Sequence, residues 1–245
     1  MPAIPHEAFL NPSDPFVSSY VPITGALSAI HAYAEAHNFP VVVKPLKGTA
    51  GNLVFRAANP RELEAAVLKV WQTDYGVAVS PFVEILDEIR VVVSLGDAQL
   101  VYRKRRPCIV GDGVGTALEL LSEALSRSSH PKRLCDSIGS MSAKFLNSVP
   151  EDGESVVTEW RHNLGLGAEA ERVECPSAVA IALSAAEALN MKFCSVDIVV
   201  LADERMAVLE INSGVMMDAF MQSSAENREV ALQIYARAVR YSLGL

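Results

Sequence analysis

Two acidic residues and one amide residue near the end of the sequence have the spacing of a metal site. Asp197 lies in one short apolar run, and Glu210 and Asn212 lie in or beside the next. A turn centred on Asp203 and Glu204 would pair Asp197 with Glu210 across a hairpin. Asn212 would then share their face, because side chains alternate along a strand with a period of two. Oxygen ligands favour Mg²⁺ held together with nucleotide phosphates, so the pattern predicts such a site. A row of solvent-facing side chains is the less favoured alternative.

A second candidate is the small-residue segment that follows an apolar run near residue 40. It contains Lys44, Lys47, Gly48, Thr49 and Gly51. Glycine lets backbone N–H groups approach phosphates closely, and lysine supplies positive charge. The segment is not a Walker A loop, because no Gly-Lys-Ser/Thr closes it. A phosphate-binding loop and a surface hairpin turn are equally compatible with it.

Two arginines lie on a predicted hairpin. With the turn at Gly96 and Asp97, Arg90 lies opposite Arg103. Like charges directly opposed are destabilising, so an anion bound between the two arginines would relieve their repulsion. The alternative is that each arginine pairs in solvent with a neighbouring acidic residue. The basic run 103–106 is a weak indication of nucleic-acid binding, because the chain has a net charge of −8.

Two further segments contain glycine and polar residues. Gly111–Thr116 lacks the G-x-G-x-x-G spacing and the βαβ frame of a dinucleotide site, and we interpret it as a tight turn before a helix. In the second segment, Arg161 and Asn163 precede a glycine-containing loop, which by itself is a weak indication of a ligand site. His162 between them is interpreted as a loop histidine.

The elements that must position these residues are a mixture of helices and antiparallel hairpins. Helix starts carry capping signals at Asn59, Thr116 and Ser223. The pattern also predicts a helix over 132–147 and strands over 77–86 and 155–161. Repeated prolines predict an irregular arm over the first 25 residues. This mixture indicates the α+β class rather than a parallel βαβ array.

Composition excludes several classes of protein. Of the 245 residues, 50% are hydrophobic and 20% charged, which is typical of a folded globular chain. The excess of 29 acidic over 21 basic residues argues against a general nucleic-acid binder. We find no apolar run long enough to span a bilayer and no signal peptide. The four cysteines are scattered, which argues against a zinc site or a disulfide framework. We therefore expect a cytoplasmic protein without membrane partners.

Taken in order, these segments resemble an ATP-grasp carboxylate–amine ligase, in particular cyanophycin synthetase, the ribosomal-protein glutamate ligases and glutathione synthetase. The resemblance extends over roughly Pro22–Phe220. It implies an α+β ATP-grasp fold, with two lobes built on antiparallel sheets with flanking helices and ATP between them. The implied organisation is an irregular arm (1–25), a small lobe with the glycine-rich loop (26–83) and a larger lobe with the metal site (84–245).

The resemblance also implies a role for each candidate residue. The implied nucleotide-binding residues are Lys44, Lys47, Gly48, Thr49, Gly51, Pro81, Phe82, Val83, Glu88, Arg161 and Asn163. Lys44 would contact the α- and β-phosphates, the backbone of 80–83 would read the adenine edge, and Glu88 would hold the ribose. The implied metal ligands are Asp197, Glu210 and Asn212. The implied catalytic residue on the phosphates is Arg161, and our own candidates for holding the acyl phosphate or the substrate carboxylate are Arg90 and Arg103.

The implied activity is ADP-forming ligation. With Mg²⁺ present, ATP would convert a carboxylate into an acyl phosphate, and an amine would then form an amide or peptide bond. The expected substrates are small amino-acid-like molecules. Relatives carry an N-terminal domain and a first phosphate-binding lysine before this segment, whereas Lys44 is the first lysine here. Either a partner chain or a second copy would then supply that region, or the nucleotide site is reduced. The alternative function is a non-catalytic or partner-dependent ATP-binding subunit with the same fold.

Overall fold

A computed structural model of the chain describes residues 3–14, 27–48, 51–127, 131, 135, 138–139 and 141–245. The chain divides into two compact units, Ala3–Glu84 and Ile85–Leu245. This division falls one residue from the boundary expected after residue 83. Thr49, a candidate for the phosphate loop, lies outside the described residues.

The unit Ala3–Glu84 is a four-stranded antiparallel sheet with two helices packed on one face. The strands in spatial order are β1 (Glu7–Leu10), β4 (Gly76–Pro81), β2 (Val41–Pro45) and β3 (Phe55–Ala57). The helices are α1 (Leu27–Ala36) and α2 (Pro60–Trp71). Val41 and Val43, on alternate positions of β2, are buried in one cluster with Ile30 of α1 and Leu63 of α2. As its capping signal predicts, α2 begins at Asn59, whose side chain accepts a hydrogen bond from the N–H of Glu62 (3.0 Å).

The expectation of an irregular N-terminal arm is wrong for Glu7–Leu10. These residues form β1, which pairs antiparallel with β4 from Glu7 opposite Val79 to Leu10 opposite Gly76. The backbone of β4 offers hydrogen-bonding groups along its edge, and pairing satisfies them. That partner lies about 70 residues away, so the local proline pattern does not reveal it.

The unit Ile85–Leu245 is organised by a five-stranded antiparallel sheet with helices on both faces. The strands in spatial order are β11 (Met206–Asn212), β10 (Phe193–Leu201), β5 (Ile85–Ser94), β6 (Asp97–Arg105) and β9 (Glu169–Arg172). The helix α5 (Pro176–Ala188) covers one face, where its alanines pack on Val91 and Val196. The helices α6 (Asp218–Ser223) and α7 (Ala225–Ser242) cover the other face, where Tyr102 stacks on Phe220.

A small satellite core completes this unit. It is built from β7 (Cys108–Val110), β8 (Ser155–Val157), α3 (Ala117–Arg127) and α4 (Ala143–Leu146). The segment Gly111–Thr116 is a tight turn, as predicted, in which Asp112 accepts hydrogen bonds from the N–H groups of Val114 and Gly115. Thr116 and Glu119 form the predicted capping box at the start of α3.

Several element bounds differ from the sequence expectation. The run 77–86 is interrupted between Pro81 and Ile85, and the strand predicted over 155–161 ends at Val157. The last helix begins after Ser224 rather than Ser223, because the Ser224 hydroxyl accepts the N–H of Asn227 (3.1 Å). Of the helix predicted over 132–147, much lies outside the described residues. None of the helices in the described part of the chain has the length and apolar character needed to cross a bilayer.

Candidate functional site

The predicted hairpin is formed by β10 and β11, and it pairs the predicted residues. Asp197 lies opposite Glu210, and the amide nitrogen of Asn212 donates a hydrogen bond to Glu210 Oε1 (2.9 Å). The side chain of Glu210 is exposed and that of Asn212 is half-buried. The pairing includes a β-bulge beside Asp197, where the register shifts by one residue. Glu210 and Asn212 therefore offer a carboxylate and an amide oxygen at an accessible strand end.

Asp197 has a different environment from these two neighbours. Its side chain is 1% exposed, and Arg90 binds both of its carboxylate oxygens, Nε to Oδ1 at 2.7 Å and Nη2 to Oδ2 at 2.6 Å. The ammonium group of Lys104 lies 3.0 Å from Oδ2. Burial alone would raise the pKa of Asp197, but Lys104 and Arg90 outweigh it and hold that pKa well below its usual range. Asp197 is therefore a fully ionised carboxylate between two cations.

Glu88 extends this group of charges. Its carboxylate contacts the Lys104 ammonium, and both side chains are buried. Burial raises the pKa of Glu88 to about 7, and the positive charge of Lys104 opposes that shift. Glu88, expected to hold a ribose, is thus turned toward Lys104 inside the sheet layer. We call Glu88, Arg90, Lys104 and Asp197 the buried charge cluster.

The register between β5 and β6 explains why the cluster forms. Leu95 and Gly96 have positive φ values of 57° and 86°, so the turn lies one residue earlier than predicted. A register shift between Val92 and Val93 then places Arg90 opposite Tyr102. Because side chains alternate, Lys104 shares the face of Arg90.

The expectation that Arg90 faces Arg103 is therefore wrong. Arg103 lies opposite Ile89, on the other face of the sheet from Arg90. Its Nε lies 2.6 Å from Asp87 Oδ2, and Glu171 is also near. Arg103 is thus paired with acidic residues at the surface, which is the alternative left open above.

The three predicted metal ligands differ in how well they suit a magnesium ion. Glu210 and Asn212 fit, because Mg²⁺ commonly uses one or two protein oxygens and completes its shell with water and phosphate. Asp197 does not fit in its present contacts, because Arg90 and Lys104 occupy its oxygens. Among the described residues, no three acidic, histidine or cysteine side chains gather as a metal site.

The segment around residue 161 is also internally paired. Arg161 forms two hydrogen bonds to the carboxylate of Glu159, at 2.9 and 2.8 Å. Asn163 accepts the N–H of Gly165 and caps the 3₁₀ helix Leu164–Leu166. His162 is buried, with Nδ1 2.7 Å from the carbonyl oxygen of Lys104, and burial lowers its pKa. This histidine thus fixes the loop against β6 as a structural residue.

In the unit Ala3–Glu84, the candidate residues lie on or beside β2 and β4. Lys44 lies on the face of β2 opposite to the buried Val41 and Val43. The ammonium nitrogen of Lys47 lies over the Tyr75 ring, 4.9 Å from its centroid. The Lys47 backbone N–H donates a hydrogen bond to Asp74 (2.8 Å). In the loop that follows, Gly51 and Leu53 have positive φ values of 69° and 55°.

Two glycines of that loop depend on having no side chain. A Cβ at Gly48 would lie 2.7 Å from a side-chain carbon of Pro45. Gly51 has a φ of 69°, which favours glycine. Glycine at these two positions allows a backbone that approaches phosphates closely, and residues 49 and 50 between them lie outside the described residues.

The predicted adenine-reading segment follows β4. Pro81 has no N–H, and the N–H of Phe82 donates to the Pro40 carbonyl (3.0 Å). Val83 is thus the residue of the three that can offer a backbone donor to a base. The guanidinium of Arg56 lies over the Phe82 ring, 4.7 Å from its centroid.

Sequence reasoning missed two basic residues. Arg56 lies opposite Val42 in the register of β2 and β3, so it shares the face of Lys44. Lys104 belongs to the basic run 103–106 and was not singled out as a site residue. Because side chains alternate along a strand, it lies on the same face of β6 as Tyr102. That alternation is the signal that would have found it.

The chain is similar to ATP-grasp proteins, in sequence over part of its length and in fold over nearly all of it. Residues 151–236 match the RimK-like ATP-grasp domain. No curated protein sequence matches the chain. D-alanine–D-alanine ligase from Bacillus anthracis is 14% identical with a TM-score of 0.56, over 98% of this chain and 63% of the ligase. Its structure complexed with ATP gives 14% identity and a TM-score of 0.53, over 98% and 62%.

A bifunctional glutathione synthetase from Pasteurella multocida is 16% identical with a TM-score of 0.46, over 97% of this chain and 35% of that protein. The chain spans less than two thirds of the length of these three matched chains. The fold is an α+β ATP-grasp fold, as the sequence predicts. The sequence similarity to the RimK-like ATP-grasp domain is limited to residues 151–236.

Proposed function

We propose that the chain binds ATP with Mg²⁺ and catalyses ADP-forming ligation of a carboxylate to an amine. The observation that carries this proposal is the β10–β11 hairpin, which presents Glu210 and Asn212 side by side at an accessible strand end. That hairpin lies inside the segment matched by the RimK-like ATP-grasp domain. The ATP-grasp fold of the chain supports the same interpretation.

The candidate residues described above would supply distinct groups for the proposed reaction. Lys44 and the glycine loop supply a cation and backbone donors for phosphates, and Val83 supplies a backbone donor for a base. Glu210 and Asn212 would hold Mg²⁺, which neutralises phosphate charge when it is bound with the nucleotide. Arg161 would turn from Glu159 toward a phosphate.

The proposed chemistry has two steps. A carboxylate oxygen of the first substrate attacks the γ-phosphorus of ATP, the bond to the β-phosphate oxygen breaks, and ADP leaves. The amine nitrogen of the second substrate then attacks the acyl carbon, the bond to the phosphate oxygen breaks, and the amine loses a proton. The substrates we propose are small amino-acid-like molecules. No nucleic acid takes part.

The test is ADP release measured with a coupled assay. Wild type is incubated with Mg²⁺-ATP, a panel of amino acids and short acidic peptides as carboxylates, and a panel of amino acids as amines. We expect ADP release that needs both a carboxylate and an amine. Glu210→Gln should abolish it, whereas Glu204→Gln, an exposed change in the turn of the same hairpin, should not. ADP release that does not respond to either panel would refute ligation.

A second candidate is an ATP-binding subunit that does not catalyse ligation. The observation that favours it is the pairing of Asp197 with Arg90 and Lys104, which leaves two metal-binding side chains where three were predicted. Stabilisation of the protein by Mg²⁺-ADP without substrate-dependent ADP release would favour this candidate. Substrate-dependent ADP release would exclude it.

A further inference from the structure

The buried charge cluster contains two acidic and two basic side chains, which contact one another. Two carboxylates, Glu88 and Asp197, face two cations, Arg90 and Lys104, and every member contacts at least one opposite charge. Three strands supply the cluster, β5, β6 and β10, which are adjacent in the sheet. Buried charges are costly unless they are paired, so each member depends on the others.

The contacts of Asp197 leave little room for a metal. A carboxylate has about four lone-pair positions, and N–H groups occupy three of them here: two from Arg90 and one from Lys104. The fourth lies on Oδ1, beside the Arg90 Nε. A cation bound there would lie next to a guanidinium and an ammonium group.

Glu210 has the opposite properties, although it lies directly across from Asp197. It is exposed, and the described residues give it one polar contact, from Asn212. The lateral neighbour of Asp197 in the sheet is Arg90 on one side and Glu210 on the other. The carboxylate of Asp197 points toward Arg90 and away from Glu210.

We infer that Asp197 is the counter-ion of Arg90 and Lys104 rather than a metal ligand, and that, among the described residues, Glu210 and Asn212 supply the protein ligands of a nucleotide-bound divalent cation. The second half of this inference rests on the proposed function. The first half concerns the folded protein without any ligand.

The first experiment measures unfolding in urea with EDTA present, so that no metal contributes. Asp197→Asn removes the carboxylate that Arg90 binds and leaves the buried Lys104 with Glu88, so we expect it to lower the folded-to-unfolded ratio by about a hundredfold or more. A free ligand carboxylate opposite Glu210 would instead repel it, and its removal would stabilise the protein. Unchanged or increased stability of Asp197→Asn would therefore overturn the inference. Glu210→Gln is the matched control and should leave stability unchanged or slightly raised.

A strongly destabilised Asp197→Asn does not report on ligand binding, so a compensated variant is needed. Arg90→Met combined with Asp197→Leu removes the pair together, which is often neutral for a buried ion pair. Lys104 and Glu88 remain as a neutral pair. We expect this double variant to regain most of the stability that Asp197→Asn loses. A double variant no more stable than Asp197→Asn would contradict the counter-ion role.

The second experiment measures binding of Mn²⁺-ADP by electron paramagnetic resonance of free Mn²⁺. The double variant should bind within about threefold of wild type, and Glu210→Gln should bind at least about tenfold more weakly. Equal losses in the double variant and in Glu210→Gln would overturn the assignment of the metal ligands. Absence of binding by wild type would refute the proposed function, and the unfolding experiment in EDTA would still decide the role of Asp197.

Discussion

Glu88 makes the stability of the fold depend on pH in a direction that the structure fixes. Burial raises the pKa of Glu88 from 4.5 to about 7, with Lys104 opposing the shift. An acid whose pKa is higher in the folded than in the unfolded chain takes up a proton on folding between those two values. The free energy of unfolding therefore falls as the pH rises through this range. One pKa unit corresponds to about 1.4 kcal/mol, so the total change is about 3 kcal/mol.

The perturbation that isolates this effect is Glu88→Gln. Glutamine keeps the shape of the side chain and can still accept a hydrogen bond from Lys104, but it does not titrate. The assay is urea unfolding of both proteins at pH 5 and pH 8. The stability of Glu88→Gln relative to wild type should rise by about 2–3 kcal/mol between these pH values, because the unfolded carboxyl group is already largely ionised at pH 5.

Other buried groups do not obscure the comparison. Asp197, with its pKa held below the usual range, titrates well below pH 5. Burial lowers the pKa of His162, so its contribution has the opposite sign and is present in both proteins. The difference between the variants removes it. The same stability difference at pH 5 and pH 8 would refute the reasoning, because it would mean that Lys104 keeps Glu88 ionised throughout.

Two further predictions concern other parts of the chain. Arg56→Ala should weaken Mg²⁺-ATP binding about tenfold in calorimetry, because Arg56 shares the face of Lys44; Arg61→Ala, an exposed change on α2, should not, and equal affinities for both variants would count against a ligand-binding role. Gly111→Ala should lower the free energy of unfolding by about 1–3 kcal/mol, because its Cβ would lie 2.1 Å from the carbonyl oxygen of Glu151. Gly214→Ala, with no atom within 4 Å of the new Cβ, is the control, and matching losses in urea unfolding would contradict the steric argument.

The part of the fold that sequence reasoning predicted is the part that local periodicity determines. Asp197 and Glu210 alternate with apolar neighbours, and a short turn joins their strands, so the sequence predicts the hairpin. Their pairing also depends on the β-bulge between Asp197 and Ile198, which the sequence does not reveal. The capping residues Asn59 and Thr116 were also found, because a cap acts on N–H groups within three residues of itself.

The errors arose where a distant or single-residue feature decided the outcome. β1 forms because β4 offers it an edge, which no pattern in residues 7–10 reveals. The Arg90–Arg103 pairing failed because Leu95 adopts a positive φ and moves the turn by one residue. A bulge next to Val92 and Val93 then restores only part of the shift. Neither a bulge nor a leucine at positive φ has a strong sequence signal.

That small shift in register has a chemical consequence. A displacement of one residue moves a side chain to the other face of a sheet. In the predicted register, Arg103 would face Arg90 and Lys104 would lie on the far face, so Asp197 would have one cation beside it. In the observed register, Lys104 lies with Arg90 on the face of Asp197, so two cations contact its carboxylate. The acid–x₁₂–acid–x–amide spacing of the hairpin therefore does not by itself determine what contacts its first acid. In this chain the two neighbouring strands supply those contacts, through Arg90 of β5 and Lys104 of β6.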